Sequence, residues 1–244
     1  MKTEKVEGKS EQLWKLANTD PDRFMEVIAD YRQMEDRLRC RLVSHETNFN
    51  FFTAGPYQKH PMGEAALFFC AGQNGDTRIE YHVSFEMAQK WDRSEAEILE
   101  TALKNTEKYA KSTFRNLDTV LAEYMGIRLP ESYEPQTPMH LLSNEERAYG
   151  ATAVMYPGML EKIREQIGMD YYVLPTSVHE LTILPMYPFL DPAKIRETIC
   201  RDNRESISPA DVLSDHLFEY RLEKGKLERC HLPEKEKSRE KEIR

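Results

Sequence analysis

Two short polar segments of this chain contain the residue types that could support chemistry. The first, TSVHE, places Ser177, His179 and Glu180 between two prolines in an otherwise apolar run. In an extended strand, residues two apart share a face, so Ser177 and His179 would project together while Glu180 faces the other way. A serine nucleophile also requires a group that fixes the imidazole tautomer and donors that stabilise an oxyanion. We therefore favour a structural role, with Ser177 satisfying backbone groups at a bend and His179 half-buried on a strand.

The second segment is Ser214-Asp215-His216. Asp215 or Glu180 could complete a triad, or could bind a metal together with His179 and His216, since imidazole and carboxylate suit zinc, iron or manganese. Adjacent strand residues point to opposite faces, so Asp215 and His216 could not both reach one ion without distortion. We favour a capping role for Ser214 or Asp215. The candidate catalytic residues are Ser177, His179, Glu180, Asp215 and His216, and we expect no metal and no cofactor.

The chain lacks the common sequence motifs of several enzyme classes. It contains no GxxxxGK[ST], GxGxxG, HExxH, GxSxG or DxDxDG pattern. Phosphate-cradling loops need clustered glycines so that backbone N–H groups can approach the ligand, and the glycines here are scattered. The sequence favours a protein that is not an enzyme and leaves a hydrolase or metal-dependent enzyme open as the alternative.

Charge restricts the class of partner. The chain has 244 residues, a formal net charge of -8 and a pI near 5.5. Such a chain repels polyanions, so binding to nucleic acid would require a strong basic patch. The run RQMEDRLRCRL contains Arg32, Arg37, Arg39 and Arg41, but two acidic residues interrupt it. We interpret this run as a solvated, salt-bridged face, and we do not expect nucleic acid as a partner.

Cysteine usage and hydropathy indicate the compartment. Cys40, Cys70, Cys200 and Cys230 are far apart and form no CxxC pair, which argues against a structural metal and a disulfide framework. No window approaches the roughly 18 apolar residues of a membrane span. We expect a soluble cytoplasmic protein with no membrane partner.

Several local signals predict the elements of the first half. Apolar residues at helical spacing follow Asp20-Pro21 and predict one helix that continues to Leu38. The turn-type sequence GQNGD predicts an antiparallel hairpin of Ala65–Cys70 with Arg78–Val83. A capping box at SEAE opens an amphipathic helix, and a further helix is expected near Leu117–Tyr124.

The second half is predicted to mix strands and helices. Expected strands are MHLLSN, ATAVMYP, YYVLP and VHELTILP, and a final hairpin turns at Lys224-Gly225. Helices are expected after Gly158 and after Asp191-Pro192. Hairpins of strands beside groups of helices are typical of the α+β class, here an N-terminal helix, hairpin and helices followed by a C-terminal antiparallel sheet with packed helices.

Proline-rich residues 126–138 suggest a boundary in the chain. The predicted organisation is a polar segment at 1–19, an α+β half at 20–125, a linker at 126–138, a second α+β half at 139–230 and a charged disordered tail at 231–244. The linker could instead lie over the surface of a single core. Both arrangements remain open from the sequence.

Longer stretches resemble a known family. The run LLSNEERAYGATAVMYPGMLEKIREQIGMDYYVLPTSVHELTILP, followed by SPADVLSDHLFEYRLEKG, resembles an uncharacterised bacterial family, domain of unknown function 5688. RLRCRLVSHETN and YHVSFEMAQKWDRSEAEILETALKNT resemble its first half, so the resemblance covers about residues 25–228. Thr176 stands where the family is expected to have serine, which puts a role for that hydroxyl in doubt. The layout is more distantly similar to YtpQ-type uncharacterised proteins.

The resemblance implies a setting but no reaction. It points to Firmicutes and to phage or other mobile-element neighbourhoods. We therefore expect an accessory protein of a mobile element that binds another macromolecule, a protein partner, and modulates a host defence component. The alternatives are an enzyme that uses the TSVHE and SDH segments, and a protein that forms a homodimer through its hairpin edge.

Overall fold

A computed structural model describes residues 12–74 and 77–232 of the chain. It contains two antiparallel sheets with helices packed around them, so the predicted α+β class is confirmed. In the part of the chain it describes, no helix combines the length and apolar character needed to cross a membrane. Nearly all of the predicted charged tail, and two residues of the GQNGD turn, lie outside the described residues.

The elements follow in chain order. The helices are α1 Leu13–Thr19, α2 Pro21–Ala29, α3 Tyr31–Met34, α4 Phe49–Ala54, α5 Phe85–Lys90, α6 Glu95–Tyr109, α7 Leu117–Tyr124, α8 Met159–Ile167 and α9 Pro192–Glu205, with 3₁₀ helices at Glu35–Arg37 and Gly150–Met155. The strands are β1 Leu38–Val43, β2 Tyr57–His60, β3 Gly63–Asn74, β4 Thr77–His82, β5 Ser112–Asn116, β6 His140–Asn144, β7 Tyr171–Leu174, β8 Leu181–Pro185, β9 Phe218–Arg221 and β10 Lys226–Arg229.

The first sheet is built around the long strand β3. Strand β1 pairs with it on one side, and β2 and β4 share its other side. The pairing of β3 with β4 is the predicted hairpin, extended at both ends of its first strand. Its register shifts at a bulge between Cys70 and Gly72. Gly72 has a φ of +133°, a conformation that side chains disfavour.

The second sheet has the strand order β10-β9-β7-β8-β6-β5. Strand β5 comes from the predicted N-terminal half but pairs with β6 along its whole length. Residues 126–138 therefore connect α7 to β6, and the strands before α7 and after this segment pair with each other in one sheet. Strands β9 and β10 form the hairpin predicted at Lys224-Gly225.

Three predicted elements differ from the structure. The helix predicted to run to Leu38 ends at Ala29, because Asp30 is extended and caps a new short helix through the Arg32 N–H, and β1 already begins at Leu38. The strand predicted for ATAVMYP is instead the 3₁₀ helix Gly150–Met155, whose small residues pack closely on β6. The strand predicted for VHELTILP begins only at Leu181.

Two main cores lie on opposite faces of the first sheet. One face packs against α1, α2 and α6 through residues such as Leu13, Ile28, Leu67 and Ile98. The other main core joins the first sheet to the second, and it includes Val43, Ala66, Phe68, Leu142, Ala153, Leu181, Ile183 and Phe218. The two sheets therefore share one hydrophobic interior.

Candidate functional site

The TSVHE segment is a bend between β7 and β8 and not part of a strand. Ser177 is 6% exposed, and its Oγ accepts a hydrogen bond of 3.0 Å from the His179 backbone N–H. The Ser177 N–H in turn donates to the Glu180 carbonyl at 3.1 Å. The contact between Ser177 and His179 thus runs through the backbone, as in turns closed by a serine hydroxyl.

Both ring nitrogens of His179 have partners. Nδ1 accepts the backbone N–H of Tyr149 at 3.1 Å, and Nε2 lies 3.3 Å from Oδ1 of Asp211. A backbone N–H can only donate, so Nδ1 is the unprotonated nitrogen and Nε2 carries the proton toward the carboxylate. The imidazole connects two distant segments of the chain and presents no free nitrogen.

The Glu180 side chain is half-buried beside His179. Burial raises the pKa of its carboxyl group, and the nearby His179 and Arg147 oppose that shift. The hydrogen bonds described for this part of the chain use the Glu180 backbone carbonyl and not its carboxylate.

The SDH segment is a turn anchored to α9. Asn203 Nδ2 donates to the Ser214 carbonyl at 3.1 Å and to Asp215 Oδ1 at 2.7 Å, and the His216 N–H donates to Ser214 Oγ at 3.2 Å. Burial lowers the pKa of His216, and its Nδ1 is buried without a hydrogen-bond partner. Ser214 and Asp215 therefore organise the turn that precedes β9.

The structure does not connect the two segments through a hydrogen bond or an ion pair described within residues 12–74 and 77–232. The carboxylate that contacts His179 belongs to Asp211 and not to Asp215. Over the same residues, no group of three or more His, Cys, Asp and Glu side chains is arranged to hold a metal ion.

A different set of side chains lines a cavity of about 320 Å³ between the two sheets. Its charged residues are Arg39 and Arg41 of β1, Arg78 and Glu80 of β4, and Glu146 after β6. The remaining walls come from Cys40, Gln73, Thr106, Tyr109, Ala110, Asn144, Ala148 and Tyr149. We call this cavity the arginine pocket.

The β-bulge explains how the first sheet supplies the polar wall of the pocket. Strand residues of the same face alternate, and Arg39 lies opposite Phe68 while Cys70 lies opposite Glu80. After the bulge the pairing shifts by one residue, so that Gln73 lies opposite Arg78. Gln73 consequently joins the pocket face, an arrangement typical of bulges beside functional sites.

Two of the three arginines of the pocket are neutralised by carboxylates. Arg41 forms an ion pair with Glu80, whose side chain is 7% exposed, and its guanidinium lies 3.9 Å from the Tyr149 ring centroid. Arg78 binds Glu146 through two hydrogen bonds of 2.7 and 3.2 Å, which tie β4 to the segment after β6. These pairs order the pocket walls without adding net charge.

Of the three pocket arginines, Arg39 is the one for which the described residues provide no carboxylate partner. Its guanidinium carbon lies 4.1 Å from the Tyr109 ring centroid, and Nη1 donates to the carbonyls of Asp36 at 3.0 Å and Leu38 at 2.7 Å. Its Nε is buried without a hydrogen-bond partner. Burial lowers the pKa of Arg39, but a guanidinium stays protonated in proteins. The pocket therefore has one uncompensated positive charge.

The loop that carries Tyr149 is held by specific polar contacts. Asn144 clamps Ala148 by donating to its carbonyl at 2.8 Å and accepting its N–H at 3.2 Å. Tyr149 has a φ of +52°, which is uncommon for a non-glycine residue and is maintained here by the bond to His179. Gly150 follows, where a Cβ would lie 2.3 Å from Ser143 Oγ. The TSVHE segment thus positions the aromatic wall of the arginine pocket.

The sequence contained one usable signal for this pocket. Leu38, Cys40 and Leu42 are buried, and the arginines between them share the opposite face, which is the period of a strand. The interpretation of RQMEDRLRCRL as a solvated face was wrong for Arg39 and Arg41, which are partly buried, although the predicted salt bridging is present at Arg41. The pairing of Arg78 with Glu146 joins residues 68 positions apart and has no local signal.

The model of a known family matches most of the chain. A family model described as "Family of unknown function (DUF5688)" matches residues 2–222, which is the family that the sequence motifs resemble. No curated protein and no solved structure matches the chain.

Proposed function

The chain belongs to the family of unknown function DUF5688, and from its own geometry we propose that it is a binding protein. It captures an anionic group of a macromolecular partner in the arginine pocket. The observation that carries this proposal is Arg39. A partly buried guanidinium that lacks a carboxylate partner is poised to bind an anion, because a desolvated charge is stabilised only when it is paired.

The size of the pocket supports a role in anchoring a partner. Its volume of about 320 Å³ is at the low end of the range of ligand sites, which is roughly 300–1,000 Å³. It has room for a side chain or a terminal group of a partner. Interfaces often depend on such an anchor in a central pocket, and arginine is enriched among the residues that dominate binding energy.

The expected partner is a protein. The net charge of -8 disfavours a polyanionic nucleic acid over most of the surface. The family resemblance supports a mobile-element setting in which the partner is a host component, and modulation of a host defence protein is the form of this proposal that the sequence favours. We do not extend it to a hydrolase or metal-dependent enzyme, since both imidazole nitrogens of His179 are engaged.

Affinity capture from the native host with paired variants tests the proposal. Arg39→Gln removes the uncompensated charge, whereas the control Arg201→Gln changes an exposed arginine of α9 that lies outside the pocket. We expect a partner that is enriched by the wild type and by Arg201→Gln, and that is reduced by about tenfold or more by Arg39→Gln, as when one member of a buried charge pair is removed.

Circular dichroism of the three purified proteins establishes that they are equally folded. Arg39→Met, which also removes the charge, is a second variant in case Arg39→Gln does not fold. Capture of the same partner by all of the folded variants to the same extent would contradict the proposal.

A further inference from the structure

We infer that the anionic group bound in the arginine pocket is a single carboxylate of an acidic peptide, held by Nη2 of Arg39. This inference rests on the proposed binding function and specifies the chemistry of the partner. It follows from the donors that Arg39 has left, from the charge balance of the pocket and from the way the guanidinium is held.

The hydrogen bonds and burial of Arg39 leave one guanidinium nitrogen for a ligand. Nη1 is saturated by the carbonyls of Asp36 and Leu38, and Nε is buried without a partner. Nη2 is not among these buried atoms, and the hydrogen bonds described for this part of the chain do not include it. Its N–H groups can donate to an oxygen of a carboxylate or phosphate in a charge-assisted hydrogen bond.

The charge balance favours an anion with one negative charge. The pocket contains three guanidinium groups and two carboxylates, and both carboxylates are paired with Arg41 or Arg78. A phosphate monoester carries about -1.5 to -2 at neutral pH, so its second charge would face Glu80 and Glu146 without compensation. A carboxylate matches the one free positive charge.

A nucleic-acid phosphodiester also carries one charge, but it brings further phosphates with it. Nucleic-acid affinity is built from many such contacts with lysine and arginine, and this chain has 42 acidic against 34 basic residues. Neighbouring phosphates would approach Glu146, whose side chain is 37% exposed at the rim of the pocket. A carboxylate on a peptide avoids this repulsion.

The Arg39 guanidinium is already held in place before a ligand binds. The Tyr109 ring lies against the guanidinium, and two backbone carbonyls fix Nη1. A group that is ordered in advance loses little conformational entropy on binding, so a weak contact such as one carboxylate contributes more of its energy to affinity.

Nuclear magnetic resonance with ¹⁵N-labelled protein tests the inference. The probes are a capped Gly/Ser peptide with one glutamate, the same peptide with glutamine, the same peptide with phosphoserine, and a short single-stranded RNA. We expect the glutamate peptide to shift the Arg39 Nε–Hε signal in a saturable way and the glutamine peptide to leave it unchanged.

The variants give the size of the effect. Followed at the backbone amides of Gln73 and Tyr149, the glutamate peptide should bind about tenfold more weakly to Arg39→Lys, because lysine keeps the charge but lacks both Nη2 and the planar guanidinium that the two carbonyls hold. Arg201→Gln should bind it as the wild type does. Tighter binding of the phosphoserine peptide or of the RNA would overturn the inference, as would an Arg39 signal that none of the probes shifts.

The two proposals fail in different ways. If capture of the host partner depends on Arg39 while the glutamate peptide does not bind, the carboxylate inference is wrong and the binding function stands. If capture does not depend on Arg39, the proposed function itself is wrong.

Discussion

The His179 ring lies between the Asp211 carboxylate and the backbone N–H of Tyr149, and the Tyr149 ring in turn covers the Arg41 guanidinium. This series of contacts connects the β7–β8 bend to the arginine pocket. It makes His179 a positioning residue, because it holds a neighbour in an uncommon backbone conformation and does not itself face the cavity.

The His179→Leu and His179→Asn variants test this role. An asparagine oxygen can accept the Tyr149 N–H in place of Nδ1, whereas a leucine side chain accepts no hydrogen bond. The hydrogen-exchange protection of the Tyr149 amide should therefore fall about fivefold in His179→Leu, which corresponds to a loss of about 1 kcal/mol, and should be largely kept in His179→Asn.

A matched control for this experiment is His140→Leu. His140 stacks on Phe114 at 5.0 Å and does not line the pocket, so its variant should keep the Tyr149 protection of the wild type. Protection of the Tyr149 amide that is equal in the wild type and in His179→Leu would show that Nδ1 does not hold the loop.

At the scale of elements, the outer edge of β1 is closed by side chains and not by another strand. Cys40 donates its N–H to Thr106 Oγ1 of α6 at 2.9 Å, and Leu42 donates to Thr152 Oγ1 at 3.0 Å. Both bonds are buried. An open strand edge is a site for unwanted pairing, so these hydroxyls satisfy the edge and also fix the strand that carries Arg39 and Arg41.

Thr152→Val should destabilise the protein through this edge. Valine has a similar shape but no acceptor, so the Leu42 N–H is left buried and unpaired at a cost of about 1–3 kcal/mol. The control Thr19→Val removes an exposed hydroxyl at the end of α1 and should cost less than about 0.5 kcal/mol. Urea unfolding of both variants measures the difference, and equal losses would show that the edge bond contributes little.

Elements with local signals were predicted from the sequence, and elements defined by distant partners were not. The capping box of Ser94 and Glu97 and the α7 bounds Leu117–Tyr124 are confirmed, because each depends on residues close in the chain. The 3₁₀ helix Gly150–Met155 begins where Gly150 closely approaches Ser143 and His179, a contact between distant residues that no periodicity encodes. The resemblance to YtpQ-type proteins stays a prediction.

At the scale of the whole molecule, the pocket depends on the two sheets being held together. The core that joins them contains Val43, Ala66 and Phe68 from the first sheet and Leu142, Leu181 and Ile183 from the second. The arginine pocket opens at one end of this shared interface, with walls from both sheets. A core of this kind predicts that the two halves unfold as one cooperative unit.

Ile183→Ala tests whether they do. Ile183 is fully buried in the second sheet, and its truncation should cost about 2–5 kcal/mol. Trp14 and Trp91 both pack in the helix-covered core of the first sheet, so their fluorescence reports that half while circular dichroism reports the whole chain. Cooperative unfolding requires the fluorescence midpoint in urea to fall together with the dichroism midpoint, because destabilising one sheet must destabilise the other.

The control Ile127→Ala, at an exposed position, should leave both midpoints nearly unchanged. In the opposite case, the fluorescence midpoint of Ile183→Ala stays at the wild-type value while the dichroism curve separates into two transitions. The two halves would then unfold independently, and ligand binding in the arginine pocket would fix the position of one half relative to the other.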